Sequence, residues 1–99
     1  MKRKKINFID LFCGSGGISL GLIKNRKFNL ICGIDNEKPM VDSFSKHFNN
    51  KGIYADLITY KPNDLIKDIN LGSQVVDLVV GGPPCQGFSL ANMWDKIKN

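Results

Sequence analysis

The sequence predicts an α/β domain built on a mostly parallel sheet with helices on both faces. Three observations carry that expectation. Short apolar runs alternate with helical patterns from residue 6 onward, the runs are nearly continuous, and a glycine cluster follows the first of them. Strands buried on both faces do not alternate apolar with polar residues, and strands joined through helices lie parallel through crossover connections.

Taken in order, residues 6–12 read as a buried strand that stops at Gly14-Ser15-Gly16-Gly17. Residues 18–26 read as a helix, with Ile18 and Leu22, joined by Leu20 and Ile23, forming its apolar stripe. Residues 28–34 give a second strand, closed by Asp35-Asn36. Pro39 suits the first turn of a helix in which Met40, Phe44 and Phe48 recur at spacings of four on one face. Asn49-Asn50-Lys51-Gly52 ends that helix, and residues 52–55 form a short third strand before Asp56. Residues 62–69 read as a short helix with Leu65, Ile66 and Ile69 apolar. Residues 75–80, rich in valine and bounded by glycines, are the clearest strand, and residues 90–97 open a further helix. Four strands make only part of such a sheet, so the fold is expected to be incomplete.

Composition narrows the function. Ninety-nine residues allow one small domain, here a basic tail over residues 1–5 and a folded part over residues 6–99. With 42% hydrophobic and 23% charged residues, the chain is globular and not intrinsically disordered. A net charge of +5 suits an anionic partner such as nucleic acid. Three cysteines, at 13, 32 and 85, form no Cys-x-x-Cys pair, and His47 is the one histidine, which argues against a disulfide framework and against a zinc site. No apolar run approaches the ~20 residues of a membrane span, and the basic start leads into no cleavable leader, so a reducing, intracellular setting is expected.

The glycine loop sits where the first strand turns into a helix. Glycines there allow a sharp turn and close approach of backbone to a ligand. No Gly-Lys-Ser/Thr follows, and Ser19 stands where the third glycine of a dinucleotide loop falls. Asp35 follows the second strand, about 20 residues beyond the loop, where an acid accepts hydrogen bonds from ribose hydroxyls. Asp56, after the third strand, is placed for an adenine amino group. Each acid alone reads as a cap or loop residue, whereas the ordered set points to an adenosine-type ligand, with or without a pyrophosphate.

After the fourth strand comes Gly81-Gly82-Pro83-Pro84-Cys85-Gln86-Gly87-Phe88-Ser89. Two prolines fix the backbone just before a thiol at a strand end, where catalytic groups of this fold class gather. Cys85 is therefore the expected covalent nucleophile, while Cys13 and Cys32, beside apolar residues, are expected to be core.

Residues Phe8-Ile9-Asp10-Leu11-Phe12-Cys13-Gly14-Ser15-Gly16-Gly17 resemble the first motif of the cytosine-C5 DNA methyltransferases, and Asp77-Leu78-Val79-Val80-Gly81-Gly82-Pro83-Pro84-Cys85-Gln86-Gly87-Phe88-Ser89 resemble their Pro-Cys motif. The resemblance runs from residue 6 over nearly the whole chain. It implies a Rossmann-like S-adenosylmethionine-dependent methyltransferase fold, with S-adenosyl-L-methionine as cofactor. Phe12, Gly14, Ser15 and Gly17 would contact that cofactor. Asp35 would hold the ribose in preference to Glu37, and Asn36 stands where relatives place a large apolar residue. Asp56 and Leu57 would meet the adenine, and Pro84 would line the cofactor side.

The resemblance also implies a double-stranded DNA partner, with Gln86 and Ser89 on its backbone, and attack of Cys85 on C6 of a flipped cytosine. It implies no metal, no membrane and a cytoplasmic setting, nucleoid-associated if bacterial. The family's later Glu-Asn-Val segment, its Gln-x-Arg-x-Arg motif and its target-recognition region have no counterpart in these residues. The expectation is a fragment truncated before target recognition and inactive alone, or one chain of a split enzyme whose second chain supplies the missing motifs. The alternatives are an RNA cytosine-C5 methyltransferase and a non-catalytic S-adenosylmethionine-binding or interaction fragment.

Overall fold

A computed structural model describes residues 5–69 and 71–81. Seven elements follow in order: β1 (Ile6–Leu11), α1 (Gly17–Ile23), β2 (Phe28–Asp35), α2 (Lys38–His47), β3 (Gly52–Tyr54), α3 (Pro62–Asp68) and β4 (Leu78–Gly81). The four strands form one sheet in the order β3-β2-β1-β4, and each recorded pairing is parallel. The expected α/β architecture with a parallel sheet is therefore present. β1 lies between β2 and β4. The strand order reverses there, which opens a crevice beyond the C-terminal strand ends.

Alternation within β1 builds two cores. Phe8 joins Leu30, Phe44, Phe48 and Cys13 on one face, with Leu22 and Ile23 of α1 packed against them. Ile9 and Leu11 join Cys32, Ile34, Leu57, Leu65 and Val76 on the other. The first face is covered by α1 and α2 and the second by α3, so burial on both sides explains the unbroken apolar strands.

Three expected elements differ in detail. In α1 the stripe is narrower: Leu22 and Ile23 pack, but Ile18 and Leu20 are exposed, and the buried residue is Ser19. In α2 the buried face is Val41, Phe44 and Phe48, while Met40 is exposed. Spacings of three and four follow a 3.6-residue turn more closely than two spacings of four. In α3 Leu65 is buried and Ile69 packs on the core, whereas Ile66 points outward.

The fourth strand is shorter than residues 75–80. Val75 is exposed, Val76 is buried outside the ladder, and regular pairing begins after Asp77. The Asn7 N–H donates to the Asp77 carboxylate at 2.9 Å, and the Asp77 N–H returns a bond to the Asn7 carbonyl at 2.9 Å. A side chain thus takes the donor that the ladder would otherwise use. The expected helix over residues 90–97 lies outside the described residues.

Candidate functional site

The turn from β1 into α1 is built by positive-φ residues at three alternate positions. Phe12 takes φ 57°, Gly14 φ 54° and Gly16 φ 107°. Gly16 is the N-cap of α1, and a Cβ there would run into the Phe48 ring, so both conformation and contact require glycine. The Gly16 N–H donates to the Cys13 carbonyl at 2.9 Å, and the Cys13 N–H donates to the Ile34 carbonyl at 2.9 Å. The loop is thereby tied to the end of β2.

Asp35, half-buried at that end, completes the tie. The Gly14 N–H donates to its Oδ2 at 2.8 Å and the Glu37 N–H to its Oδ1 at 3.2 Å. The Ala55 N–H donates to the Asp35 carbonyl at 3.0 Å, which brings the segment bearing Asp56 alongside. Asp56 is exposed, and its Oδ1 accepts the Ile58 N–H at 3.0 Å in a turn of its own. The loop, Asp35 and Asp56 therefore share one edge of the sheet, in the order the sequence implied.

The remaining expected ligand residues divide. Ser15, Gly17 and Asn36 are exposed at this edge, Phe12 is half-buried against the Ile9–Leu11 face, and Leu57 is buried in that core. Pro84, Cys85, Gln86 and Ser89 lie outside the described residues. The last described residue, Gly81, pairs with Leu11 beside the start of the glycine loop.

Sequence reasoning missed a buried polar pair beneath the loop. Asp10, in the middle of the sheet, is 1% exposed and Ser19 fully buried, and the Ser19 hydroxyl donates to Asp10 Oδ2 at 2.6 Å. Asp10 Oδ1 is buried without a partner among the described residues. Burial raises the Asp10 carboxyl above its ordinary value of 3.8, the Ser19 hydrogen bonds oppose this, and the Asp35 charge adds to it. The signal was available: an acid inside an apolar strand, and a serine at the position of the third glycine.

Cys13 and Cys32 are buried free thiols. Burial foremost, with neighbouring negative charge, pushes each up to about 12. Both stay protonated and inert at neutral pH, as expected for core cysteines.

The chemistry of this edge is specific. Asp35, Glu37 and Asp56 make it acidic, and the Gly14 N–H is already engaged by a carboxylate. A pyrophosphate would meet repulsion and a missing donor. A ligand with hydroxyls and positive charge fits. Among the described residues no group of three or more His, Cys, Asp or Glu is placed to hold a metal.

The sequence model of the C-5 cytosine-specific DNA methylases matches residues 6–98. The chain belongs to that family. It is 38% identical over 87 residues to the type II methyltransferase M1.HphI of Haemophilus parahaemolyticus, covering 87% of this chain and 23% of the relative. It is 40% identical over 94 residues to the type II methyltransferase M.DdeI of Desulfomicrobium norvegicum, covering 92% and 21%. The chain thus spans less than a quarter of the length of these curated relatives.

Among solved structures, a protein described as a DNA modification methyltransferase encoded within a prophage (E. coli) superposes with a TM-score of 0.69 at 28% identity. The match covers 94% of this chain and 26% of that one. The S. pombe Dnmt2 methyltransferase shares the fold, with a TM-score of 0.60 at 20% identity over 86% of this chain and 25% of that one. This C-5 cytosine methylase chain therefore carries the methyltransferase α/β fold that its sequence implied.

Proposed function

We propose that this chain is the cofactor-binding and nucleophile-bearing part of a DNA (cytosine-5-)-methyltransferase that uses S-adenosyl-L-methionine. The observation that carries the reading is the junction of the glycine loop and Asp35 on an acidic sheet edge. In this reading the free lone pairs of Asp35 accept the ribose hydroxyls, and Asp56 accepts from the adenine amino group through the carboxylate oxygen its own turn does not use. Phe12, Ser15 and Gly17 flank the bound molecule, and Asn36 borders it beyond Asp35. Leu57 supports the turn from the core, and Pro84 closes the cofactor side.

When bound, S-adenosylmethionine supplies an electrophilic methyl group on a sulfonium, which an activated cytosine C5 can take. The protein's own contribution is that activation. The Cys85 thiolate adds to C6, and the electron pair of the C5–C6 double bond is released onto the ring so that C5 becomes nucleophilic. Once the methyl is in place, loss of the C5 proton restores the double bond and expels the thiolate. Gln86 and Ser89 hold the nucleic-acid backbone while the base is out of the stack.

The test is incorporation of label from methyl-tritiated S-adenosylmethionine into a duplex library by the intact protein, followed by nucleoside analysis. Label in 5-methylcytosine is the expected result. Label in adenine, in an exocyclic amino group or in RNA alone would reject the reading.

A further inference from the structure

Each of the first three strands is entered through cations and left through acids. Lys5 precedes β1, Arg26 and Lys27 precede β2, and Lys51 precedes β3, whereas Asp10, Asp35 and Asp56 stand at or just beyond the opposite ends. Because these strands are parallel, the pattern sorts charge by sheet edge. The acids gather at the site already described, and the cations gather at the far edge, about 20 Å away along six residues of β1.

At that far edge a depression of about 320 Å³ is lined by Lys5, Arg26, His47 and Lys51, together with Asn29 and Asn49, and by no acidic residue. The ion pair recorded among the described residues is Lys38–Asp42, elsewhere on α2. Two acids lie on this side of the sheet and neither lines the depression: Asp77 accepts the Asn7 N–H, and Asp68 accepts the Tyr60 hydroxyl in a neighbouring depression shared with Asn29 and Lys51.

Local structure explains some of these residues. His47 Nδ1 lies 2.9 Å from the Ser43 carbonyl in the last turn of α2, where Lys46 complements the C-terminal end of the helix dipole. Lys51 Nζ donates to the Leu30 carbonyl at 3.0 Å. Lys5 and Arg26 are exposed and have no such local partner among the described residues. Lys2, Arg3 and Lys4 directly precede Lys5 in sequence.

We propose that this basic edge is a second, sequence-independent contact surface for the phosphodiester backbone of duplex DNA, separate from the edge that holds the cofactor and the reacting base. The proposal rests on the DNA reading above for its choice of polyanion. Lysine, arginine and the asparagine amides are all donors suited to phosphate oxygens, and contacts to phosphate carry no sequence information. Its separation from the site edge lets this face hold a flanking or second duplex segment, which raises the local concentration of substrate.

The test is fluorescence anisotropy of a labelled duplex lacking any modification target, titrated with the intact protein and no cofactor between about 50 and 200 mM salt. In the double variant Lys5→Gln/Arg26→Gln the slope of log K against log salt falls by about 1.8, at ~0.9 for each lost phosphate contact. Lys61→Gln/Lys67→Gln, an equal charge change on α3, leaves the slope unchanged. A slope in Lys5→Gln/Arg26→Gln equal to that of the unmodified protein overturns the proposal, as does an equal fall in the α3 control. Polyglutamate binding that needs Lys5 and Arg26 while duplex binding does not would assign the face to an acidic protein instead. Because the readout needs neither cofactor nor turnover, it stands or falls independently of the methyl-transfer test.

Discussion

Asp35 spans the site edge through two carboxylate oxygens, one on the Gly14 N–H and one on the Glu37 N–H. Hydrogen bonds to charged groups contribute ~1.5–3 kcal/mol each, so Asp35→Ala should weaken S-adenosylmethionine binding by roughly 10- to 100-fold in calorimetric titration. A smaller effect from Glu37→Ala would agree with the choice between the two acids. Asp10 gives a pH prediction. Its carboxyl is raised in the folded state, so the folded protein holds that proton more tightly than the unfolded chain. Stability therefore falls as pH rises from the ordinary carboxylate range through the raised value. Thermal melts of Asp10→Asn should lack that component and show a flatter profile over the same range. Ser19→Ala removes the donor to Asp10 Oδ2, and the unfolding free energy should drop by ~1–3 kcal/mol in denaturant titration.

At the scale of elements, α2 is anchored by Phe44, which is fully buried, and by Phe48, whose ring lies tilted against it at 4.4 Å between centroids. Phe44→Ala should cost ~3–5 kcal/mol and loosen the loop as well, since both aromatic rings pack on Gly16. Element type was legible throughout the described residues because runs buried on both faces and glycine-bounded turns are strong signals. The details that were not legible have physical causes. α1 has too few turns for a stripe to average out, and its buried contact is a polar one, Ser19 on Asp10, which no hydrophobic pattern reveals. The start of β4 is set by Asp77 capturing a backbone donor from Asn7, a long-range event invisible along the chain.

For the molecule as a whole, strand order 3-2-1-4 places the reversal between β1 and β4. The glycine loop leaves β1 on one side of that crevice, and Gly81 ends β4 on the other. The order of the described motifs in the sequence, loop, acid and then acid, thus becomes a spatial order around one edge. The same parallel arrangement carries the cations to the opposite edge, which the net charge alone did not reveal. The proposal at the centre of this reading is that Cys85 attacks the cytosine while the loop and Asp35 bind the methyl donor. Its most direct measurement is covalent trapping of the intact protein on a 5-fluorocytosine duplex in the presence of S-adenosylmethionine. The expected result is a denaturation-resistant protein–DNA adduct that disappears in Cys85→Ser. An adduct that persists in Cys85→Ser, or none at all from protein that methylates unmodified duplex, would contradict it.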